Sequence, residues 1–524
     1  MLLGDIVSGN ARRVPHRTAW IFHDQTWTWD ATNRRINRAA SALKGLGLEF
    51  QDRVVIVANN SVRLLELVFG LGKMGIVAVP MAPRSVWREI EFVLNDVEAK
   101  ALFVDPDLGR ALEGAPADIG AHLKLVGIGP GHKLPLDFDA LLEGGTEAEP
   151  EFRFSEDAMR TIRFTSGTTG TPKGCIGTHR TMLASIYSDL SFCPPVQADD
   201  RGIMPLSVAT GLGLNTLAVF AIKGIETVMV DRFDAGTVLD LIERHKVTRL
   251  SGVPTMITLL TEEMKVRPRD ITSLRVIGYS SAPIAVSAVR DALRYLGCDF
   301  FQGYGSTETG GRVTYLSPED HRRCAAAGPE SGMEDVLGRN VISAGREMPG
   351  AEIRLVDDNL VPVPEGEVGE LMVRSDLTFP GYWRKPEQTA QVLRGGWLLT
   401  GDLARRTAGG DYYIVDRKRD MIVSGGYNVY SVEVETVLLT HPEVAEAAVF
   451  GVRDATWGET VWAAVTPRPG CSPDPAALDA HCKSNLSTYK CPRHFVFIET
   501  MPRTSTGKIR KVELRGTYNS KVAA

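Results

Sequence analysis

Between residues 28 and 110 the apolar positions switch between helical spacing and short continuous runs. TWDATNRRINRAASALKGLGL has the spacing of a helix, with Asp30 as a candidate cap and Gly45 or Gly47 as a stop. DRVVIVANN reads as a buried strand, LLELVFGLGKMG as a helix and IVAVPMAP as a second strand. Strands alternating with helices predict parallel βαβ units. The series resumes in GIETVMV, FDAGTVLDLIERHKVTRL and SGVPTMITLL. From residue 345, GREMPGAEIRLVDDNLVPVPEGEVGELMVRS changes to short strands parted by Pro/Gly turns, which predicts a small β-barrel. Further on, SGGYNVYSVEVETVLL, AEAAVFGV and WAAVTPR read as mixed α+β.

One stretch stands outside these periods. MRTIRFT alternates polar and apolar like a half-buried strand, TSGTTGTPKG follows at 165–174, and helical spacing begins at His179. A glycine-rich turn after a strand exposes backbone N–H groups; Thr165, Ser166, Thr168, Thr169 and Thr171 add hydroxyls, and Lys173 adds a positive charge. These are the requirements for gripping a polyphosphate. The competing reading is a flexible surface loop, but a linker has no need of Pro-Lys-Gly and rarely abuts a strand. A Walker loop fails on spacing, because Lys173 follows Pro172 and precedes Gly174.

Bulk properties narrow the partners. At 524 residues the chain suggests about three domain-sized units. With 23% charged residues, a net charge of −5 and a pI near 6.1, it has no electrostatic footprint for nucleic acid. Seven cysteines, odd in number and without a C-x-x-C pair, point to a reducing compartment and away from a zinc or disulfide framework. MLLGDIVSGNARRVPHR lacks the apolar run of a signal peptide, and no stretch has the length of a membrane span. The expectation is a soluble cytoplasmic protein acting on small molecules.

TSGTTGTPKG resembles the phosphate loop of the acyl-adenylate-forming superfamily, which holds acyl-CoA synthetases, luciferases and the adenylation domains of peptide synthetases. MPLSVATGLG, RVIGYSSAPI, FQGYGSTETGG, GWLLTGDLA, DRKRD and MPRTSTGKIRK are similar to further segments of that family, in the same order. The likeness is greatest to acyl- or aryl-CoA ligases. It implies an α/β fold: a large N-terminal domain (1–418) of two βαβ-type subdomains plus the small β-barrel, and a mobile α+β C-terminal domain (419–524) hinged at Arg419. It also implies ATP, Mg2+ and coenzyme A, and a carboxylic acid that is first converted to acyl-AMP with loss of pyrophosphate and then passed to coenzyme A.

Site residues follow from the same resemblance. Thr165, Ser166, Gly167, Thr168, Thr169, Gly170 and Lys173 would hold phosphates. Ser281, Ala282 and Pro283 would flank adenine, with Tyr304 stacked on it beside Gly305, and Asp402 and Arg417 would bind ribose. Thr307 would meet the α-phosphate, Glu308 would hold the magnesium ion, and Lys508 would bridge carboxylate, α-phosphate and ribose. Val208, Ala209, Tyr279, Ser280, Gly303, Gly310 and Gly311 would form the acyl pocket. Val208 stands where relatives often carry a gating histidine or aromatic residue, and it reads equally as a core valine. Arg312 is either a contact for a polar substrate tail or a solvated arginine.

Gly425 and Gly426 would leave a tunnel for pantetheine, with Trp457, Tyr489 and Arg493 on coenzyme A. Cys491 departs from the arginine of some relatives. Residues 317–344 exceed the family's usual connection and read as a lid, an oligomer contact or a plain insertion, which leaves a homodimer open. The rivals are a carrier-protein loader, a luciferase-type oxygenase and a non-catalytic relative. The last is disfavoured because Lys508, Glu308 and Asp402 are all present.

Overall fold

The alternating patterns fold as two seven-stranded sheets in a computed structural model that describes every residue except 117, 166–171, 327–340, 455, 504–508 and 524. The first sheet runs, in spatial order, Leu136–Asp137, Lys124–Gly127, Ala101–Val104, Arg53–Val57, Val77–Met81, Met159–Thr165 and Lys173–Thr178. Its strands are parallel until the last pair, which is antiparallel. The reason is connection length: 166–172 is too short for the crossover that parallel strands need.

The second sheet runs Asp299–Gln302, Val276–Tyr279, Arg249–Gly252, Arg201–Met204, Glu226–Met229, Thr18–Phe22 and Gln25–Thr28, again parallel up to one antiparallel edge strand. One core cluster holds Val54 and Ile56 of the first sheet, Met204 and Met229 of the second, and Phe69 and Phe220 from helices. The helix Trp29–Gly45 is capped by Thr28, whose hydroxyl accepts the Ala31 N–H at 3.2 Å. Asp30, the candidate cap, lies two residues further in, within the first turn, where its charge favours the helix dipole.

The short strands after residue 345 form a five-stranded antiparallel sheet in the order Ala351–Val356, Val368–Ser375, Trp397–Arg406, Leu393–Arg394, with Tyr412–Arg417 also on Trp397–Arg406. A last sheet holds Tyr427–Val429, Ile422–Ser424, Gly458–Pro467, Val444–Asp454 and His494–Phe497, and the helices Ser431–Leu439 and Pro475–Asn485 share its core. Among the described residues no helix is long and apolar enough to cross a membrane.

Two buried histidines tie this framework to pH. Nδ1 of His179 accepts the Leu3 N–H at 3.1 Å, and burial, helped by the Arg160 charge, pushes its pKa down to about 3. His321 lies 2.8 Å from the Tyr279 hydroxyl, and burial lowers it to about 4. In the unfolded chain both take a proton near the ordinary histidine value. Stability is therefore complete above about pH 6.5 and falls as pH drops, by up to about 1.4 kcal/mol per unit for each. Urea midpoints should fall between pH 7 and 5; an unchanged midpoint would show that the folded protein accepts both protons.

Candidate active site

Thr165 and Lys173 face each other as register partners at the ends of the two strands that carry the phosphate loop. Residues 166–170 of the expected phosphate grip, and Lys508, lie outside the described residues. Lys173 is buried, and its Nζ stands 5.0 Å from the centre of the Tyr382 ring. The Tyr382 hydroxyl donates to Glu308 Oε1 at 3.1 Å. Burial and the Glu308 charge raise the Tyr382 pKa, so it stays a donor. The backbone reinforces this grouping, since Ile176 N–H donates to Gly381 and Trp383 N–H to Gly174. Cation, phenol and carboxylate thus come together from three separate segments.

Tyr304 and Asp402 are joined directly, with the tyrosine hydroxyl donating to Oδ2 at 2.5 Å. Arg417 Nε lies 3.3 Å from Oδ1 of the same carboxylate. Asp402 and Arg417 are opposite each other on adjacent antiparallel strands, which fixes the pair. Ser281, Ala282 and Pro283 are exposed just past the strand Val276–Tyr279, and Ser281 has a left-handed backbone, φ 82°. Such a conformation in a non-glycine residue is strained and concentrates at functional sites.

The loop carrying Thr307 and Glu308 is held by close backbone contacts. A Cβ on Gly310, at φ 71°, would stand 2.0 Å from the Leu377 carbonyl oxygen, and one on Gly305 would stand 2.2 Å from that of Gly311. Gly310→Ala is expected to destabilise the protein by about 2–4 kcal/mol through combined strain and overlap. A urea midpoint equal to that of the parent would contradict this.

The acyl-pocket candidates differ in their surroundings. Val208 is a core residue, 2% exposed, whose N–H donates to Asn60 Oδ1 at 2.8 Å. Tyr279 is fully buried in the core of the second sheet, where His321 satisfies its hydroxyl. Gly303 is packed against the Thr314 carbonyl and Gly311 against the Ser185 hydroxyl, so both answer to close approach of chain segments. Ser280 is buried and Ala209 half-buried. Gly310 does border a cavity, with Thr307, Thr181, Met182, Asn215 and Phe379. Arg312 is neither solvated nor free: it is buried, pairs with Asp189 at 2.6 Å and lies over the Phe301 ring.

The coenzyme A candidates form a second group. Gly425 and Gly426 have φ of 59° and 83°, and a Cβ on Gly425 would meet the Trp457 ring at 2.8 Å. The Arg493 guanidinium lies over the same indole, 4.4 Å from its centre. Tyr489 lies against Tyr427, with ring centres 4.9 Å apart and planes tilted by 36°. Trp457, Tyr489 and Tyr427 are all exposed. Arg419 sits between the strands Tyr412–Arg417 and Ile422–Ser424, and its carbonyl accepts from Arg515 at 3.2 Å.

Sequence reasoning missed Tyr382, Tyr427, Arg160 and Arg163. The first two stand beside glycines, in PGYW and GGYN, a signal for a side chain presented at a turn. The arginines sit in MRTIRFT, where alternation alone hides them.

The strands flanking residues 166–172, the Glu308 carboxylate and the Tyr304–Asp402–Arg417 group stand at the positions that the resemblance to adenylate-forming enzymes picks out. Residues 7–383 match the AMP-binding enzyme family and residues 433–508 the AMP-binding enzyme C-terminal domain. The chain belongs to the AMP-binding enzyme family. It is similar to feruloyl-CoA synthase of Amycolatopsis sp, 33% identical over 98% of this chain and 99% of the other. It is also similar to the fatty acid–[acyl-carrier-protein] ligase ScoC of Streptomyces coeruleorubidus, 32% identical over 98% of this chain and 95% of the other. Among solved structures it is similar to o-succinylbenzoate CoA synthetase (MenE) from Bacillus subtilis in complex with the acyl-adenylate intermediate OSB-AMP, with TM-score 0.84 and 29% identity over 98% and 97% of the chains.

Proposed function

We propose that the protein is an AMP-forming acid:CoA ligase that works in the cytoplasm. The observation that carries this reading is the Tyr304–Asp402–Arg417 corner, assembled from positions 98 residues apart, beside the loop that bears Thr307 and Glu308. A carboxylate oxygen of the acid attacks the α-phosphorus of ATP, the bond to pyrophosphate breaks, and acyl-AMP forms. The thiolate of coenzyme A then attacks the acyl carbon, the bond to AMP breaks, and the thioester leaves.

Tyr304 offers its ring to adenine, Asp402 accepts from the ribose hydroxyls, and Thr307 donates to the α-phosphate. Lys173 and the loop beside it hold the phosphates that depart. Lys508 supplies positive charge where the two anions meet. Among the described residues no three potential ligands cluster for a metal. Glu308 as a lone carboxylate fits an ion that keeps waters and brings phosphate oxygens, as Mg2+ accompanying ATP does. Bound there, the ion neutralises phosphate charge. The domain division falls at 418/419, with Arg419 as the hinge; the Trp457–Arg493 stack and the two glycines beside it suit an adenine ring and a narrow pantetheine chain.

The test is thioester formation from free coenzyme A with a panel of aromatic, short-chain and medium-chain acids, monitored with pyrophosphate release. Pyrophosphate release without thioester, together with acylation of a phosphopantetheinyl carrier, would favour the carrier-loading reading that similarity to ScoC keeps in play.

A further inference from the structure

The pairing of Met159–Thr165 with Lys173–Thr178 slips by one residue at Arg160. Met159 is opposite Thr178 and Thr161 is opposite Gly177, which leaves Arg160 as the extra residue of a β-bulge. In a regular strand Arg160 and Arg163 would point to opposite faces. Both instead border the same cavity, together with Thr181, Asn215, Thr307 and Gly310. Arg160 is 6% exposed, and among the described residues neither guanidinium has a carboxylate partner. The Nε hydrogens of both lack an acceptor. The charged groups near them do not cancel the pair: the two arginines repel each other, and Glu308 reaches Arg163 only at longer range. Gly211, at the start of the helix Gly211–Lys223, lies against the Arg163 guanidinium, so the positive helix end adds to the same field.

Arginine keeps its proton at any working pH, so the buried Arg160 guanidinium, with the half-buried Arg163 beside it and, among the described residues, no carboxylate on either, is costly unless an anion joins them. Tyr304, Asp402 and Arg417 do not border this cavity, whereas Thr307 does. Gly310, the acyl-pocket candidate on the same loop, borders it as well, which puts the anion between the reaction centre and the acyl pocket and away from the nucleoside. We propose that Arg160 and Arg163 seat a second carboxylate on the acid substrate, so that the acid activated is a dicarboxylic acid. This rests on the ligase reading above. Planar guanidinium forks match carboxylates, and the bulge exists to bring two of them to one face.

The experiment compares dicarboxylic acids with their monomethyl esters on the same carbon skeletons, by pyrophosphate release and by thioester formation. The diacids are expected to have kcat/KM about 10–100-fold above the esters, the range of one or more charge-assisted hydrogen bonds. Arg163→Gln should bring that ratio near one by raising KM for the diacid, with KM for ATP unchanged. It should melt no lower than the parent, because it relieves the repulsion between two neighbouring guanidinium charges. Without ATP, a diacid should raise the melting temperature of the parent but not of Arg163→Gln. Esters used as well as diacids would overturn the proposal and leave the ligase reading intact, as would an Arg163→Gln variant that raises KM for ATP while keeping the ratio. If no acid gives a thioester yet a diacid still shifts the melting temperature through Arg163, the ligase reading fails and the anion seat stands. No shift with any diacid overturns the seat.

Discussion

Lys508→Ala is expected to slow acid-dependent ATP–pyrophosphate exchange by about 10²–10³-fold, the range seen when one preorganised donor is removed from a developing charge. The first half-reaction brings a carboxylate against a phosphate, and fixed positive charge offsets their repulsion where it is greatest. Lys173 cannot substitute, because its ammonium group is buried beside Tyr382 at the phosphate-loop strand. Arg503 and Ile509, which flank the lysine segment, pair as an antiparallel bridge, and Arg503 is anchored to Glu446 at 2.5 Å. The substitution therefore leaves a supported frame. Supplying synthetic acyl-AMP isolates the second half-reaction, which should retain most of its rate because the lysine acts before it. Full exchange activity in the variant would remove Lys508 from the chemistry.

The parts of this molecule that are legible in the sequence are those set by local spacing. MRTIRFT is the strand Met159–Thr165, and the helical spacing at His179 is the helix His179–Phe192. The alternation of strand and helix in the first three hundred or so residues gives two largely parallel sheets, because parallel pairing needs a crossover between successive strands. What spacing does not contain is the identity of distant partners. Arg312 reads as a substrate contact or a solvated arginine, and its pairing with Asp189, 123 positions away, is not visible in spacing. Tyr279 reads as a pocket residue, and spacing does not show that its hydroxyl meets His321, 42 positions away. A one-residue slip in pairing turns Arg160 to the face of Arg163, and only the partner strand reveals it. The strand Lys173–Thr178 was hidden because its Lys-Gly start belongs to the phosphate motif.

Asp402→Asn is expected to weaken ATP and AMP binding by about 10²-fold, with a smaller effect on the rate at saturation. The carboxylate, 6% exposed, already accepts from Tyr304 through Oδ2 and faces Arg417 through Oδ1. Two oxygens offer about four acceptor sites in all, and the ribose hydroxyls would draw on these. An amide of the same size halves that capacity and turns a donor toward either the Tyr304 hydroxyl or the Arg417 guanidinium. It also removes the charge that makes each remaining hydrogen bond strong. Tyr304→Phe provides the contrast: the ring proposed to face adenine is kept, and only the hydroxyl that donates to the carboxylate is lost. Its loss of affinity should be at most about fivefold, within the range of one neutral hydrogen bond. Because the two side chains touch, their effects should not add: the double variant should bind nucleotide about as weakly as Asp402→Asn alone. Calorimetric titration of AMP into the parent and the three variants reads all of this directly. Parent-like affinity in Asp402→Asn would move the ribose contact away from this corner.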